Sequence, residues 1–405
     1  MRSAHRLRDG CVFLGLSLAT WLLLAAESGP TGDLPVGSVT ASRFPSAASA
    51  PAAWTLVALP DTQKYVADPE LAPLFDAQTG WIVDSLDGRT DPALARNIVF
   101  VSHLGDIVDD GSAPEQWALA DRAMAVLDGD PAGFPDARVP YSAVIGNHDY
   151  AVVSDRQSGS ERYREHFGAQ RYVGRPDGRS YAWYGGSSPD GLGHYQRFEA
   201  GGYAFLHLAL PWEVEGSLDD PTSALGWARD LLAANPSRPT IISTHSYVWD
   251  EPGAEGRTQT PQSEGGNSGE AIFAALVQPF PQVFMVLNGH WHRAGGEDDG
   301  EWEQVSLDAA GLPVYELLAD YQDRARGGDG WLRLIDFLPA GGERGLDRIA
   351  VSTFSPSRAE GAGDFQPGAR SEFHFDLDFA RRFGAALGGR PAIPPPELLA
   401  ALRAD

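Results

Sequence analysis

Five apolar runs of this chain end on side chains that bind cations or move protons. "WTLVAL" leads into Asp61 and Gln63, and "NIVFVSHL" leads into Asp106 and Asp109. "YSAVI" leads into Asn147, His148 and Asp149, "TIIST" into His245, and "VFMVLN" into His290 and His292. Carboxylate, amide and imidazole groups are the ligands of hard and borderline cations, and imidazole is also the usual proton-transfer group near neutral pH. Singly these residues say little. An Asp after a strand commonly bonds its own backbone in a turn, and a lone His is commonly a satisfied structural residue. Jointly they say more, because the crevice beyond the carboxyl ends of α/β strands is where ligands collect. His290 and His292, two apart behind Gly289, can be aimed together by one loop.

The elements that must position them are legible as apolar runs alternating with helical patterns. "YAFLHLAL" is a sixth buried run. One helix is signalled by Ser112 and Glu115 as a capping-box pair with Pro114 in the first turn, followed by Trp117, Ala120, Met124 and Leu127. Another runs through Leu225, Ala228 and Leu232 to Pro236, and a third from Ser268 through Ile272 and Leu276 to Pro279. This alternation predicts an α/β layered domain. "WLRLIDFL", "RIAVSTF" and "SEFHFDLDF" then alternate as strands with no helices between, so the sheets should be mixed. The polar, aromatic stretch "RSYAWYGGSSPDGLGHYQRFEAGGY" reads as hairpins at a sheet edge, with part of a substrate wall as the alternative.

Composition bounds the function classes. Of 405 residues 43% are hydrophobic, enough for a sizeable core, and the formal net charge is −24. That charge speaks against nucleic acid or an anionic membrane as partner of the whole surface. An anionic substrate would need local positive charge, which bound metal supplies. Arg2, Arg6 and Arg8 precede the short apolar run "CVFLGLSLATWLLLAA", which reads as a signal peptide over 1–26, with an uncleaved anchor as the alternative. We therefore expect a secreted, periplasmic or extracellular protein with no stable membrane anchor after cleavage. Cys11, the single cysteine, lies ahead of that run, so the mature chain has no disulfide and no thiolate ligand. A Ser/Ala/Gly/Pro-rich leader covers 27–53, a catalytic domain 54–380, and a Pro-rich tail 381–405.

The ordered set D-x-Q, G-D-x-x-D, G-N-H-D, H and G-H-x-H, over about residues 54–355, resembles the calcineurin-like metallophosphoesterase superfamily. The resemblance implies a two-sheet mixed β-sandwich flanked by helices, with a dinuclear metal site at the strand ends. It places Asp61, Gln63, Asp106 and His292 on one ion, and Asn147, His245 and His290 on a second that Asp106 also reaches. It puts His148 beside the scissile group, with Asp149 to orient it and Asp109 supporting the G-D loop. The implied reaction is hydrolysis of a phosphate mono- or diester by a metal-activated hydroxide, with His148 assisting the leaving group. A bridging carboxylate suits this chemistry, because two-metal phosphoryl transfer needs ions about 3.5–4 Å apart.

Gln63 departs from the pattern, since many such proteins carry His there. A neutral amide oxygen is a harder ligand than imidazole and favours Mn or Fe over Zn. His103, His207 and His374 lie inside strand-like runs and read as structural, while His166 and His194 lie in loops that could line the cleft. The competing function is an exported, non-catalytic metal- or surface-binding protein on the same fold. The substrate is expected to be a phosphoester whose identity the cleft walls decide.

Overall fold

A computed structural model describes residues 52–293 and 300–384. The signal segment 1–26 lies outside the described residues, as do most of the 27–53 leader and the 381–405 tail. Among the described residues no helix is long and apolar enough to cross a membrane.

Two seven-stranded mixed sheets face each other. In the first, Trp54–Leu59 runs parallel to Ile98–His103, which runs parallel to Tyr141–Ala143. On its other side Trp54–Leu59 pairs antiparallel with Leu332–Leu338, and that strand pairs antiparallel with Asp347–Ser355. Asp364–Phe365 and Glu372–Leu377 complete the sheet by pairing with Asp347–Ser355. In the second sheet four strands run parallel: Tyr203–Ala209, Thr240–Ser243, Val283–Asn288 and Pro313–Ala319. Antiparallel edges are added by His194–Ala200 and Tyr184–Ser187 on one side and by Glu301–Leu307 on the other. The edge hairpins expected in the aromatic stretch are therefore present.

The first strand shows why the runs are continuous rather than alternating. Leu56 and Ala58 pack between the sheets with Phe100, Phe205, Phe284, Met285, Ile335 and Phe337. Val57 and Leu59 point the other way, toward Ile82, Trp117 and Met124 of the helices Ala72–Leu86 and Pro114–Ala125. A strand buried on both faces must be apolar at every position. The outer face of the second sheet is covered in the same way by Ala224–Ala234 and by the helical segment from Gly269 to Val277, through Ala228, Leu232, Ile272 and Leu276.

Phe205 sits in the centre of the sandwich, fully buried against Trp54, Phe198, Phe284 and Phe383. Phe205→Ala is expected to cost about 3–5 kcal/mol, because the surrounding rings belong to two sheets and cannot close the cavity. Urea unfolding followed by tryptophan fluorescence would check this; a cost below about 1 kcal/mol would mean that the core collapses around the gap.

One expectation needs correction, and one pair of strands was not foreseen. The capping box at Ser112 does not form. Ser112 gives its N–H and hydroxyl to the Asp110 carboxylate, at 2.9 and 2.7 Å, and Ala113 holds the N-cap with no side-chain bond. An Asx turn two residues upstream captures the serine before the helix can use it. The antiparallel pair Glu301–Leu307 and Pro313–Ala319 was not anticipated as strands. It matters because Pro313–Ala319 lies beside Val283–Asn288, so its end opens toward the same region as the His290 loop.

Candidate metal centre

Three of the expected ligands have a left-handed backbone that non-glycine residues seldom adopt: Asp61 at φ 42°, Asp106 at φ 48° and His290 at φ 72°. Each stands just past the end of a strand: Trp54–Leu59, Ile98–His103 and Val283–Asn288. Such backbone costs about 1–3 kcal/mol per residue and persists where the surroundings hold it, most often at functional sites. It re-aims each side chain into the space beyond the sheet.

Two glycines make that space. A Cβ on Gly146 would lie 2.2 Å from Asp106 Oδ1, and one on Gly289 would lie 2.2 Å from Asp61 Oδ2. Gly146 has no positive φ, so close approach rather than a special turn requires glycine there.

Asp106, fully buried, is the hub. Its Oδ1 lies 3.1 Å from His245 Nε2 and accepts the His148 N–H at 2.9 Å, while its Oδ2 accepts from Gln63 Nε2 at 3.0 Å. Its two oxygens thus face two different groups of side chains. Burial opposes its charge, yet His245 and other neighbouring histidines hold its pKa well below the usual carboxylate range.

His245 gives the clearest sign of a cation site. Its Nδ1–H donates to the Leu104 carbonyl at 2.9 Å, which leaves the lone pair on Nε2. That nitrogen faces two oxygens, Asp106 Oδ1 and Asn147 Oδ1, each 3.1 Å away. Asn147 is held with its oxygen inward by its Nδ2–H bond to Ser154 Oγ at 3.1 Å. Three lone pairs aimed at one point are tolerated only with a proton or a cation among them. Without metal a proton takes that role: burial works against it, but Asp106 raises the His245 pKa.

His290 completes the group. Its Nε2–H donates to Gln262 Oε1 at 2.7 Å, which leaves Nδ1 as the lone-pair atom, and its backbone N–H donates to Asp61 Oδ1 at 3.1 Å. Ligand atoms of Asp106, His245 and His290 all lie within 4.8 Å of one another. Burial lowers the His290 pKa to about 3, so the ring is a neutral, ligand-competent imidazole.

Asp61 and Gln63 border this group with unspent oxygens. Asp61 Oδ2 and Gln63 Oε1 are buried and have no hydrogen-bond partner. Burial first, then Asp320 and Asp106, push the Asp61 pKa well up. Buried like charges beside orphaned oxygens are relieved by a cation, so the residues present fit a metal centre.

His292 stands apart from the trio. Its Nδ1 lies 2.7 Å from Asp320 Oδ2 and its Nε2 3.3 Å from Asp323 Oδ2. Burial opposes its charge, but these aspartates raise its pKa to about 9. Gln322 joins this network, bonding Asp320 Oδ2 at 2.9 Å and also Gln63. Asp320, Gln322 and Asp323 were missed in the sequence, although "PVYELLA" followed by "DYQD" has the same form as the other strand ends. Gln262 was missed as well, and no local signal marks it.

The expected role of Asp149 is not what the structure shows. Its carboxylate accepts the N–H groups of Ile107 at 2.9 Å, Val108 at 3.0 Å and Gly146 at 2.7 Å, clamping the G-D loop to the G-N-H-D loop. Burial, with Asp106 adding to it, raises its pKa to about 7. His148 is oriented by Asp109, whose carbonyl accepts from Nδ1 at 2.8 Å. Three backbone donors surround the Asp149 carboxylate, whereas the Asp109 carbonyl lies within reach of the ring. The Asp109 carboxylate pairs with Lys64 at 2.7 Å. Among the other histidines, His103, His166, His194 and His207 are held by contacts within the fold. For example, His166 stacks on Trp117 and His194 Nε2–H donates to the Ala143 carbonyl.

Residues 76–294 match the family described as calcineurin-like phosphoesterase, a stretch that holds every expected site residue except Asp61 and Gln63. The uncharacterized protein YvnB of Bacillus subtilis is 34% identical over 309 residues, covering 75% of this chain but only 20% of its own length. The chain thus spans about a fifth of that relative. Among solved structures, a purple acid phosphatase from yellow lupin seeds superposes with TM-score 0.47 at 13% identity, over 83% of this chain and 55% of that one. A protein of Thermus thermophilus superposes at TM-score 0.33 and 12% identity, over 70% of this chain and 94% of that one. The family match covers more than half the chain and coincides with the strand-end ligands, and this protein belongs to the calcineurin-like phosphoesterase family.

Proposed function

We propose that this protein is an exported two-metal phosphoesterase acting on phosphate mono- or diesters. The observation that carries the reading is the set of inward-facing lone pairs: His245 Nε2 against the oxygens of Asp106 and Asn147, beside the orphaned oxygens of Asp61 and Gln63. His245, Asn147 and His290 would hold one ion, and Asp61, Gln63 and His292 the other. The Asp106 carboxylate, facing both groups, would be shared. When bound, the ions supply positive charge for the phosphate and acidify a nucleophilic water.

The chain's own residues account for the rest. His148 is anchored through Nδ1–H, so Nε2 is the atom left to meet the substrate. In its protonated form Nε2–H can give its proton to the departing oxygen or hydrogen-bond the negative charge that develops there. Asp149 holds both loops rigid against each other, which fixes Asp106 and His148 in one register. Export is supported by the basic start and short apolar run of the sequence. Hydrolysis of p-nitrophenyl phosphate and bis(p-nitrophenyl) phosphate, side by side on the Mn²⁺-loaded protein, tests the reading. Preference between them assigns monoester or diester chemistry, and no turnover of either with metal bound would count against catalysis.

Metal identity follows from Gln63. With an amide oxygen at that position the centre should favour Mn or Fe, and Gln63→His should shift uptake toward Zn by about tenfold while changing turnover less. Metal content after equilibration with a Mn/Zn mixture reads this out. An unshifted ratio would remove Gln63 from the ligand set.

A further inference from the structure

A cavity of about 510 Å³ opens beside His290, lined by Trp249, Trp291, Arg257, Gln259 and Gln262 among others. Trp291 and Gln262 connect it to the centre. The Trp291 ring meets the His290 ring edge-on at 4.7 Å, and Gln262 carries the His290 hydrogen bond. Its volume suits a small organic group.

The chemistry of the walls narrows that group. Trp249 and Trp291 pack edge-to-face at 4.9 Å. Both indole N–H groups are already used, by the Ala254 carbonyl at 2.5 Å and by Ser246 Oγ at 3.0 Å. They therefore offer the cavity aromatic carbon surface, not hydrogen bonds. Arg257 is committed to Glu270 at 2.6 Å and to buried Glu316 at 2.9 Å, and it packs over the Phe273 ring. The cavity consequently has no strong claim on a second phosphate. The exposed amides of Gln259 and Gln262 at the rim can bond ring heteroatoms.

We propose that this cavity is the subsite for the organic part of the phosphoester, and that it takes a planar heteroaromatic ring such as a nucleobase, stacked on Trp249, since the Trp291 ring is already packed between His290 and Trp249. The proposal rests on the phosphoesterase reading for its place in a reaction, but not for its test. Base-on-tryptophan stacking is strong enough to measure without the phosphate.

The experiment is an NMR titration of the metal-free full chain with adenosine, observing saturation transfer to the base protons, with ribose and glucose as controls. Adenosine should bind and ribose should not. Trp249→Ala should weaken adenosine binding by about tenfold, and Trp249→Phe should restore most of it by returning a ring. No transfer to adenosine overturns the proposal, as does equal binding by wild type and Trp249→Ala. Preferential transfer to glucose overturns it in favour of a sugar site. Neither metal nor turnover enters the measurement. Its failure therefore leaves the phosphoesterase reading standing, and a protein that bound adenosine but hydrolysed no phosphoester would keep the subsite and lose that reading.

Discussion

Asp106→Ala is expected to lower kcat/KM by at least about a thousandfold, roughly 4 kcal/mol of transition-state stabilisation, and to strip the protein of most of its metal. The carboxylate does several jobs at once. It faces His245 through one oxygen and Gln63 through the other, and it accepts the backbone N–H of His148. On the proposed arrangement its removal would take the shared ligand from both ions, and it leaves His245 Nε2 facing only Asn147. Asp106→Asn keeps the shape and one inward oxygen, so it should retain part of the metal and a small fraction of the activity. Elemental analysis of dialysed protein alongside turnover checks both variants. An alanine variant with full metal content would show that Asp106 is not a shared ligand.

His148→Ala should behave differently: metal content stays near wild type while kcat falls by about 10²–10⁴. The ring is held through Nδ1 by the Asp109 carbonyl, with the Asp109 carboxylate 3.8 Å away, and His148 is not among the residues proposed to hold metal. The size of the loss should depend on the leaving group. An ester of p-nitrophenol, whose oxygen departs without a proton, should lose least, and an alkyl ester should lose most. A uniform loss across leaving groups would assign His148 to charge stabilisation rather than proton donation. An unchanged kcat on the alkyl ester would take it out of the reaction.

How much of this was legible in the sequence depends on the reach of the interaction. The strands ending at Asp61, Asp106, Asn147, His245 and His290 could be read because a strand buried on both faces must be a continuous apolar run, and the polar residue after it marks its end. The mixed α/β layering followed from helices alternating with early strands and missing between late ones, whereas the division into two sheets came from the family resemblance. Ser112 misled because the capping rule sees only the residues it names, while Asp110 made a closer bond.

The types of side chain at the centre, their order along the chain and the glycines beside them are properties of the sequence alone, and they suffice to say which chemistry is available. Which atom meets which is a matter of tertiary structure. Asp149 looked like the partner of His148 because it is the next residue, yet its carboxylate turns to three backbone N–H groups on two loops. Asp109, which lies 39 positions away from His148, orients the ring with a carbonyl, a group every residue carries and no sequence pattern reveals. Gln262 reaches His290 across 28 positions, and Gln63 meets Gln322 across 259. Hydrogen bonds at such separation are made by the packing of the sheets, because only the folded chain brings their donors and acceptors within about 3 Å of each other.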